Sequence, residues 1–277
     1  MALPYAWLVL FLLFPLLIVM KISVANEAVA IPPYTPLFGG ARLHVTGANY
    51  LLLMSDSLYW KAFWGAVRYS TIATLLTLLI GYPLAYGIAR TSVRWRHLLL
   101  MAIILPFWTS FLIRVYAWIG LLKENGIVNH ALLSLGLIDA PLRLINNDFS
   151  VLLGLVYAYL PFMVLPLYAQ LEKLDPALNE AAADLGARPL HIFWQITLPL
   201  SLPGIAAGTL LVFIPALGEF VIPDLLGGPK TLMIGKILWD EFFTNHDWPT
   251  ASALAIAMLV LLVLPMGLMR RLLRGMA

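Results

Sequence analysis

Residue types that commonly do chemistry are scarce in this sequence. It contains no cysteine, which excludes disulfides, thiolate metal sites and cysteine nucleophiles. Its histidines lack the i,i+4 spacing of a two-ligand metal motif on one helix face; they lie at positions 44, 97, 130, 191 and 246. The segment 227–231 (Gly-Gly-Pro-Lys-Thr) lacks the upstream glycine of a phosphate-binding loop and has proline before its lysine, so we interpret it as a loop turn. The sequence thus predicts no catalytic, metal or nucleotide site in this chain.

Three charged residues stand out because they lie along apolar stretches: Arg68, Arg114 and Glu219. A charge in the hydrocarbon of a membrane costs at least ~2.5 kcal/mol on insertion scales, so such residues usually pair or face a cavity. One interpretation is snorkelling, or an ion pair between helices, for Arg68 and Arg114. The other is that Glu219, aided by Asp224, attracts a cation in the outer half of a pathway.

Four aromatic residues are candidates for contacts with such a cation: Trp108, Tyr116, Tyr157 and Tyr159. A diammonium ligand needs carboxylates along its length and aromatic faces over its methylenes and ammonium groups, at ~0.5 to 2 kcal/mol per good cation–π contact. Aromatic residues in membrane helices more commonly pack or form an interfacial belt. Both interpretations stay open for each of the four.

The composition indicates which elements must position these residues. Of the 277 residues 62% are hydrophobic and 11% charged, and the mean hydropathy is +0.91, whereas a soluble domain has about 25% charged residues. Six apolar stretches are long enough to cross a hydrocarbon core of ~30 Å as helices. They cover residues 3–20, 64–89, 98–122, 151–171, 200–223 and 251–269. Each contains or adjoins a proline, so we expect kinked helices in a single all-α membrane domain, residues 1–277.

Basic residues set the predicted orientation. Lysine and arginine are densest in the loops after the second and fourth spans and in the tail, so the positive-inside rule places these segments, and both termini, in the cytoplasm. The residues concerned are Arg90, Arg94, Arg96, Lys173, Arg188, Arg270, Arg271 and Arg274. The first span resembles a cleaved signal peptide only in part: no basic segment precedes it, and its apolar run exceeds the usual length of about 7 to 15 residues. We predict a retained helix.

A short helix is predicted in the long cytoplasmic loop between the fourth and fifth spans, at about residues 176–186. Asp175 suits the N-cap, Pro176 suits the first helical position, and Gly186 can end the helix. The segment is too short and too charged to span a membrane. Its alanine-rich surface permits close approach, so it is suited to docking into another protein.

The same loop carries a motif. Glu180-Ala181-Ala182, Gly186 and Ile196-Thr197-Leu198-Pro199 reproduce the E-A-A-x3-G-x9-I-x-L-P pattern, which resembles the permease subunits of binding-protein-dependent ABC importers. The resemblance implies a type I importer permease fold with a coupling helix that sits in a cleft of an ATPase. Glu180, Ala181, Ala182 and Gly186 match the coupling positions and inherit that role.

The resemblance extends along essentially the whole chain and points to the polyamine branch of that family. It is carried by residues 31–35, 106–118, 157–163, 218–228 and 247–249. It is closest to permeases of putrescine importers, with spermidine as the second substrate. Such a permease implies a second homologous permease in a heterodimer, two cytoplasmic ATPases that bind ATP and Mg²⁺, a periplasmic polyamine-binding protein, and the bacterial inner membrane. This chain would hold no cofactor and would not be an enzyme.

Two alternatives remain from the residues. A permease for another cationic or organic solute shares the same architecture. An ion-coupled secondary transporter also has kinked helices and intramembrane charges, but it has no need of an E-A-A helix, and we find no internal repeat.

Overall fold

The computed structural model describes the backbone of residues 2–36, 38–39 and 42–274, and the side chains of residues 5–36 and 44–263. Helices dominate these residues. They are α1 (Ala2–Leu8), α2 (Phe14–Ser23), α3 (Ala48–Ser55), α4 (Ser57–Arg90), α5 (Val93–Ile104), α6 (Phe111–Leu122), α7 (Ile127–Ser134), α8 (Asp148–Leu171), α9 (Pro176–Asp184), α10 (Pro189–Ile192), α11 (Leu198–Leu217), α12 (Val221–Leu225), α13 (Ile234–Trp239) and α14 (Trp248–Arg274). A short antiparallel ladder pairs β1 (Phe38–Gly39) with β2 (Arg42–Leu43).

Within the described ranges, four helical stretches are long and apolar enough to cross a membrane. They are Tyr5–Ser23, Ser57–Arg90, Asp148–Leu171 and Pro189–Leu217. A bent pair, Val93–Trp108 with Phe111–Ser134, passes the same test as one span, and α14 begins with the shorter apolar stretch Trp248–Val263. Each of the six predicted spans overlaps one of these elements, and the third and fifth are interrupted.

The third predicted span, residues 98–122, differs from the expectation of one helix. The chain bends by 92° between Trp108 and Phe111. Pro106 has no amide hydrogen for the helical ladder, and the Thr109 hydroxyl donates to the Pro106 carbonyl at 2.8 Å. That side-chain bond competes with helical pairing, and Thr109 and Ser110 are extended.

The fifth predicted span, residues 200–223, also ends earlier than expected. Helix α11 ends at Leu217, with Pro215 in its last turn, and the separate short helix α12 follows. Glu219 lies in the break between them. Its Oε1 accepts hydrogen bonds from the amides of Val221 and Ile222, at 3.0 and 3.4 Å, so it caps the start of α12.

Contacts divide the chain into two compact units. The first consists of Met1–Ala66 and Leu232–Arg270, and the second is chiefly Val67–Thr231. In the second unit α8 and α11 pack along their length, and glycines permit the close approach: a Cβ on Gly208 would meet the Met163 sulfur at 2.6 Å. Met163 and Leu167 of α8 and Val212 of α11 are fully buried at this seam.

Candidate coupling and substrate sites

Helix α9 is built by its own local chemistry. Asp175 Oδ1 accepts a hydrogen bond from the Ala177 amide at 3.0 Å, and Pro176 takes the first helical position. At the other end Gly186 has φ +82°, the left-handed conformation that favours glycine. The amides of Gly186 and Ala187 bond back to Ala183 and Ala182, which closes a Schellman motif.

Three of the motif residues on this segment are exposed. Glu180, Ala181 and Gly186 are exposed and Ala182 is half-buried, while no residue of α9 is buried. The apolar side chain of Leu185 is 89% exposed beside them. A nine-residue helix with this little burial is marginal by itself, so its exposed face is suited to a partner.

The second half of the motif lies where the chain enters α11. From Gly186 the chain passes through α10 and a π-helical segment, Phe193–Thr197, into α11. Thr197 is buried, Leu198 begins the helix, and Pro199 lies in its first turn. The motif therefore joins α9 directly to the fifth span.

Glu219 and Tyr159 form the buried polar contact of the outer candidate site. The Tyr159 hydroxyl donates to Glu219 Oε2 at 2.6 Å, while Oε1 accepts the two amides of α12. Both side chains are buried, at 9% and 8% exposed. The carboxylate thus has a protein donor at each oxygen, which gives it a structural role in addition to any role toward a cation.

The other predicted pathway residues do not converge on this pair. Trp108 and Tyr116 are exposed, at 76% and 58%. Tyr157 packs edge-on against Trp118 with ring centroids 5.3 Å apart. Asp224 lies exposed on α12. Of the four predicted aromatic residues, Tyr159 is the one with a described hydrogen bond to Glu219.

The two arginines have different environments. Arg68 Nη2 lies 3.7 Å from Asp148 Oδ2, and both side chains are partly exposed. The Arg114 guanidinium lies over the rings of Phe107 and Phe111, 5.0 and 5.6 Å from their centroids. Its Nε is buried without a hydrogen-bond partner.

Sequence reasoning missed a cluster centred on Asp148. The Tyr69 hydroxyl donates to Asp148 Oδ1 at 2.6 Å, and the Thr231 hydroxyl reaches the same oxygen at 3.3 Å. The segment 227–231 is a turn here, closed by the Thr231 amide donating to the Gly228 carbonyl at 2.9 Å. Because Tyr69 and Thr231 are distant in sequence from Asp148, no local pattern announces the cluster.

A second missed contact joins Arg96 to Glu172, with Nη1 and Oε1 2.7 Å apart. A hydrogen bond from Tyr168 and then the contact with Arg96 lower the pKa of Glu172 from its ordinary value. Glu172 therefore carries a charge at neutral pH. Among the residues whose side chains are described, no group of three or more His, Asp or Glu residues has the arrangement of a metal site.

Residues 77–277 match the family model described as binding-protein-dependent transport system inner membrane component. The chain is 41% identical over 266 residues to the spermidine/putrescine transport system permease protein PotB of Haemophilus influenzae, which covers 95% of this chain and 89% of that protein. It is 42% identical over 263 residues to the protein of the same name from Escherichia coli, covering 95% and 91%.

Solved structures agree in fold. A chain from the crystal structure of a bacterial ABC transporter involved in the import of the acidic polysaccharide alginate matches with TM-score 0.73 at 19% identity. The match covers 98% of this chain and 94% of that chain. The predicted all-α membrane fold is thereby confirmed.

Proposed function

The chain belongs to the family of binding-protein-dependent transport system inner membrane components, and from this premise we propose that it is the permease subunit of an ATP-driven polyamine importer. Family membership makes it a transport subunit of the inner membrane rather than an enzyme. The polyamine substrate is supported by one observation, the 41–42% identity over 95% of the chain to permeases named for spermidine and putrescine. Putrescine is the favoured substrate and spermidine the second.

In the proposed mechanism α9 sits in a cleft of a cytoplasmic ATPase, which binds the ATP and Mg²⁺. Glu180, Ala181, Ala182 and Gly186 form the contact, and the exposure of Glu180, Ala181 and Gly186 in this chain supports that role. When nucleotide closes the ATPase pair, α9 moves and the motion passes through α10 into α11. The permease converts the nucleotide cycle into a movement of the fifth span.

The proposed substrate pathway uses Glu219 as the carboxylate for one ammonium group. Oε2 has a second lone pair beyond the one that accepts from Tyr159, so an ammonium group can be added at this oxygen without breaking the hydrogen bond to Tyr159. Trp108, Tyr116 and Tyr157 offer aromatic faces, and Asp224 offers a second carboxylate near the entrance. A diammonium chain needs both kinds of group.

The proposed assembly places both termini in the cytoplasm and the long loop after α2 on the periplasmic side. A six-span chain of this family encloses half of a pathway. A second homologous permease completes it, two ATPases bind below, and a periplasmic polyamine-binding protein delivers substrate above.

ATPase activity of the reconstituted complex tests the function. The chain is co-assembled in lipid with its neighbouring permease, ATPase and binding protein, and ATP hydrolysis is measured with the binding protein empty, loaded with putrescine, and loaded with spermidine. We expect stimulation by the putrescine-loaded protein above all others. Stimulation by spermidine alone would change the substrate and keep the mechanism, whereas failure to assemble with any ATPase would overturn the proposal.

A further inference from the structure

Three helix ends meet at one guanidinium group, that of Arg96 in the first turn of α5. Its Nη1 donates to Glu172 Oε1, directly after α8, at 2.7 Å. Its Nη2 donates to the carbonyl oxygens of Ala89 and Thr91, at the end of α4, at 2.9 and 3.3 Å. A cation at a helix C-terminus is also favoured by the helix dipole. One side chain therefore holds α4, α5 and α8 together.

Glu172 lies at the root of α9. It precedes the capping residue Asp175 by three positions, and the residues between them are held in a turn because the amides of Lys173 and Leu174 bond back to Gln170 and Leu171. A displacement of α9 therefore reaches Glu172 through a short and hydrogen-bonded connection. The same displacement reaches α11 through the segment that follows α9 in the chain. No comparably short stretch of chain joins α9 to α4 or α5.

The guanidinium is not fully satisfied in this arrangement. Its Nε is buried without a hydrogen-bond partner, and a buried unpaired donor costs free energy. Arginine and carboxylate frequently pair through two parallel bonds, and such a contact through Nε and Nη would remove that cost. A shift of the helix ends that brings the carboxylate to Nε would therefore be favoured.

We propose that the Arg96–Glu172 contact transmits the displacement of α9 to the ends of α4 and α5, so that the second and third spans move with the fifth. Arg96 and Glu172 are then positioning residues for coupling. This inference rests on the proposed function, in which α9 is moved by an ATPase.

Charge neutralisation of Glu172 tests the inference, with an exposed ion pair as the matched control. Glu172→Gln keeps the side-chain shape and removes the charge. Glu124→Gln does the same to the pair of Arg143 and Glu124, which are 3.5 Å apart with side chains 91% and 60% exposed. In the reconstituted complex we expect substrate imported per ATP hydrolysed to fall about fivefold in Glu172→Gln, the low end of typical coupling effects, and to be unchanged in Glu124→Gln. Both variants should co-purify with the ATPase.

A distance measurement separates transmission from mere stability. Because the chain has no cysteine, Ser92→Cys at the start of α5 and Arg188→Cys after α9 introduce its only two thiols for spin labels. In the wild-type background we expect the distance between the labels to be the same in the nucleotide-free and ATP-trapped complex. With Glu172→Gln we expect it to differ between the two states, because α9 moves without α5.

Equal coupling and equal distances in Glu172→Gln and wild type would overturn the inference. If Glu172→Gln fails to assemble, the same coupling and distance measurements are made on Arg96→Lys. Its ammonium keeps the charge but lacks the planar guanidinium that joins the carboxylate to two carbonyls. A wild-type complex without stimulation by any loaded binding protein would be the distinct failure of the proposed function, visible before any variant is made.

Discussion

Helix α9 and the contact between Glu219 and Tyr159 represent opposite uses of polar chemistry in the second unit of the chain. The residues of α9 form hydrogen bonds within their own segment and leave most of their side chains exposed. Glu219 is buried, and it uses one oxygen on the amides at the start of α12 and the other on Tyr159, 60 positions away in sequence. Helix α9 therefore offers an exposed surface that is suited to a partner. The contact between Glu219 and Tyr159 instead joins elements within the fold.

Substitutions in the two candidate regions should therefore have different effects. Because α9 is largely exposed and is capped by its own residues, its substitutions should affect a partner more than folding. The buried carboxylate combines two roles, since a change that removes its acceptor oxygens also affects the start of α12. Substrate effects at Glu219 can be read only from variants that keep its hydrogen bonds.

The largest expected effect comes from Glu219→Ala. This change leaves the Tyr159 hydroxyl and the amides of Val221 and Ile222 without their acceptor, and each buried unpaired group costs ~1 to 3 kcal/mol. We expect loss of assembled complex or a strongly lowered thermal midpoint in detergent. A midpoint equal to that of wild type would contradict the structural role.

Glu219→Gln separates the charge from the hydrogen bonds. The amide oxygen can accept from α12 while the NH₂ group donates to the Tyr159 oxygen, so we expect normal assembly. Putrescine uptake in proteoliposomes should fall about tenfold, the effect of ~1.4 kcal/mol. Full uptake by this variant would remove Glu219 from the pathway and leave it a structural residue.

Gly186→Val tests the independence of α9. A Cβ at Gly186 meets no atom within 4 Å, so the expected cost of about 1 to 2 kcal/mol comes from the left-handed backbone alone. We expect ATPase stimulation by the loaded binding protein to fall about tenfold. Gly186→Asn is the matched control, because asparagine tolerates this conformation, and it should keep most of the stimulation. Equal stimulation in Gly186→Val and wild type would show that the end of α9 does not affect docking.

Tyr159→Phe should have a smaller effect. It removes one hydrogen bond to a charged group and leaves Glu219 its two amide donors, so we expect a loss of about 1.5 kcal/mol in stability. Uptake should fall less than in Glu219→Gln, because the charge remains. An uptake defect larger than that of Glu219→Gln would mean that the hydroxyl itself, rather than the carboxylate, contacts the substrate.

The smallest effect is a pH dependence at Glu172. Its pKa is lowered from 4.5 by Tyr168 and Arg96, so the contact stabilises the folded chain fully above pH 4.5 and this contribution is lost as the pH falls through the lowered pKa. Thermal midpoints of wild type and Glu172→Gln should differ slightly at pH 7 and converge at low pH. A difference that grows on acidification would contradict this sign.

The same contrast explains which features of the fold and the site can be predicted from the sequence. Helix α9 was predictable from the sequence because its cap, its first-turn proline and its terminal glycine are local signals within a dozen residues. The contact between Glu219 and Tyr159 was not predictable in this way, since the two residues are 60 positions apart, and the contacts of Asp148 with Tyr69 and Thr231 span 79 and 83 positions. The break at Thr109 escaped notice because prolines occur in every span, and hydropathy does not distinguish a proline that a helix tolerates from one that ends it.

Thiol accessibility at Leu185 tests the central claim, that α9 is the surface an ATPase covers. Leu185→Cys and the control Val29→Cys lie at sites that are both almost fully exposed, in a chain without other cysteines. A maleimide reagent is applied to the permease pair with and without its ATPase. We expect labelling of Leu185→Cys only in the absence of the ATPase, and equal labelling of Val29→Cys in both samples. Equal labelling at 185 with the ATPase bound would contradict it.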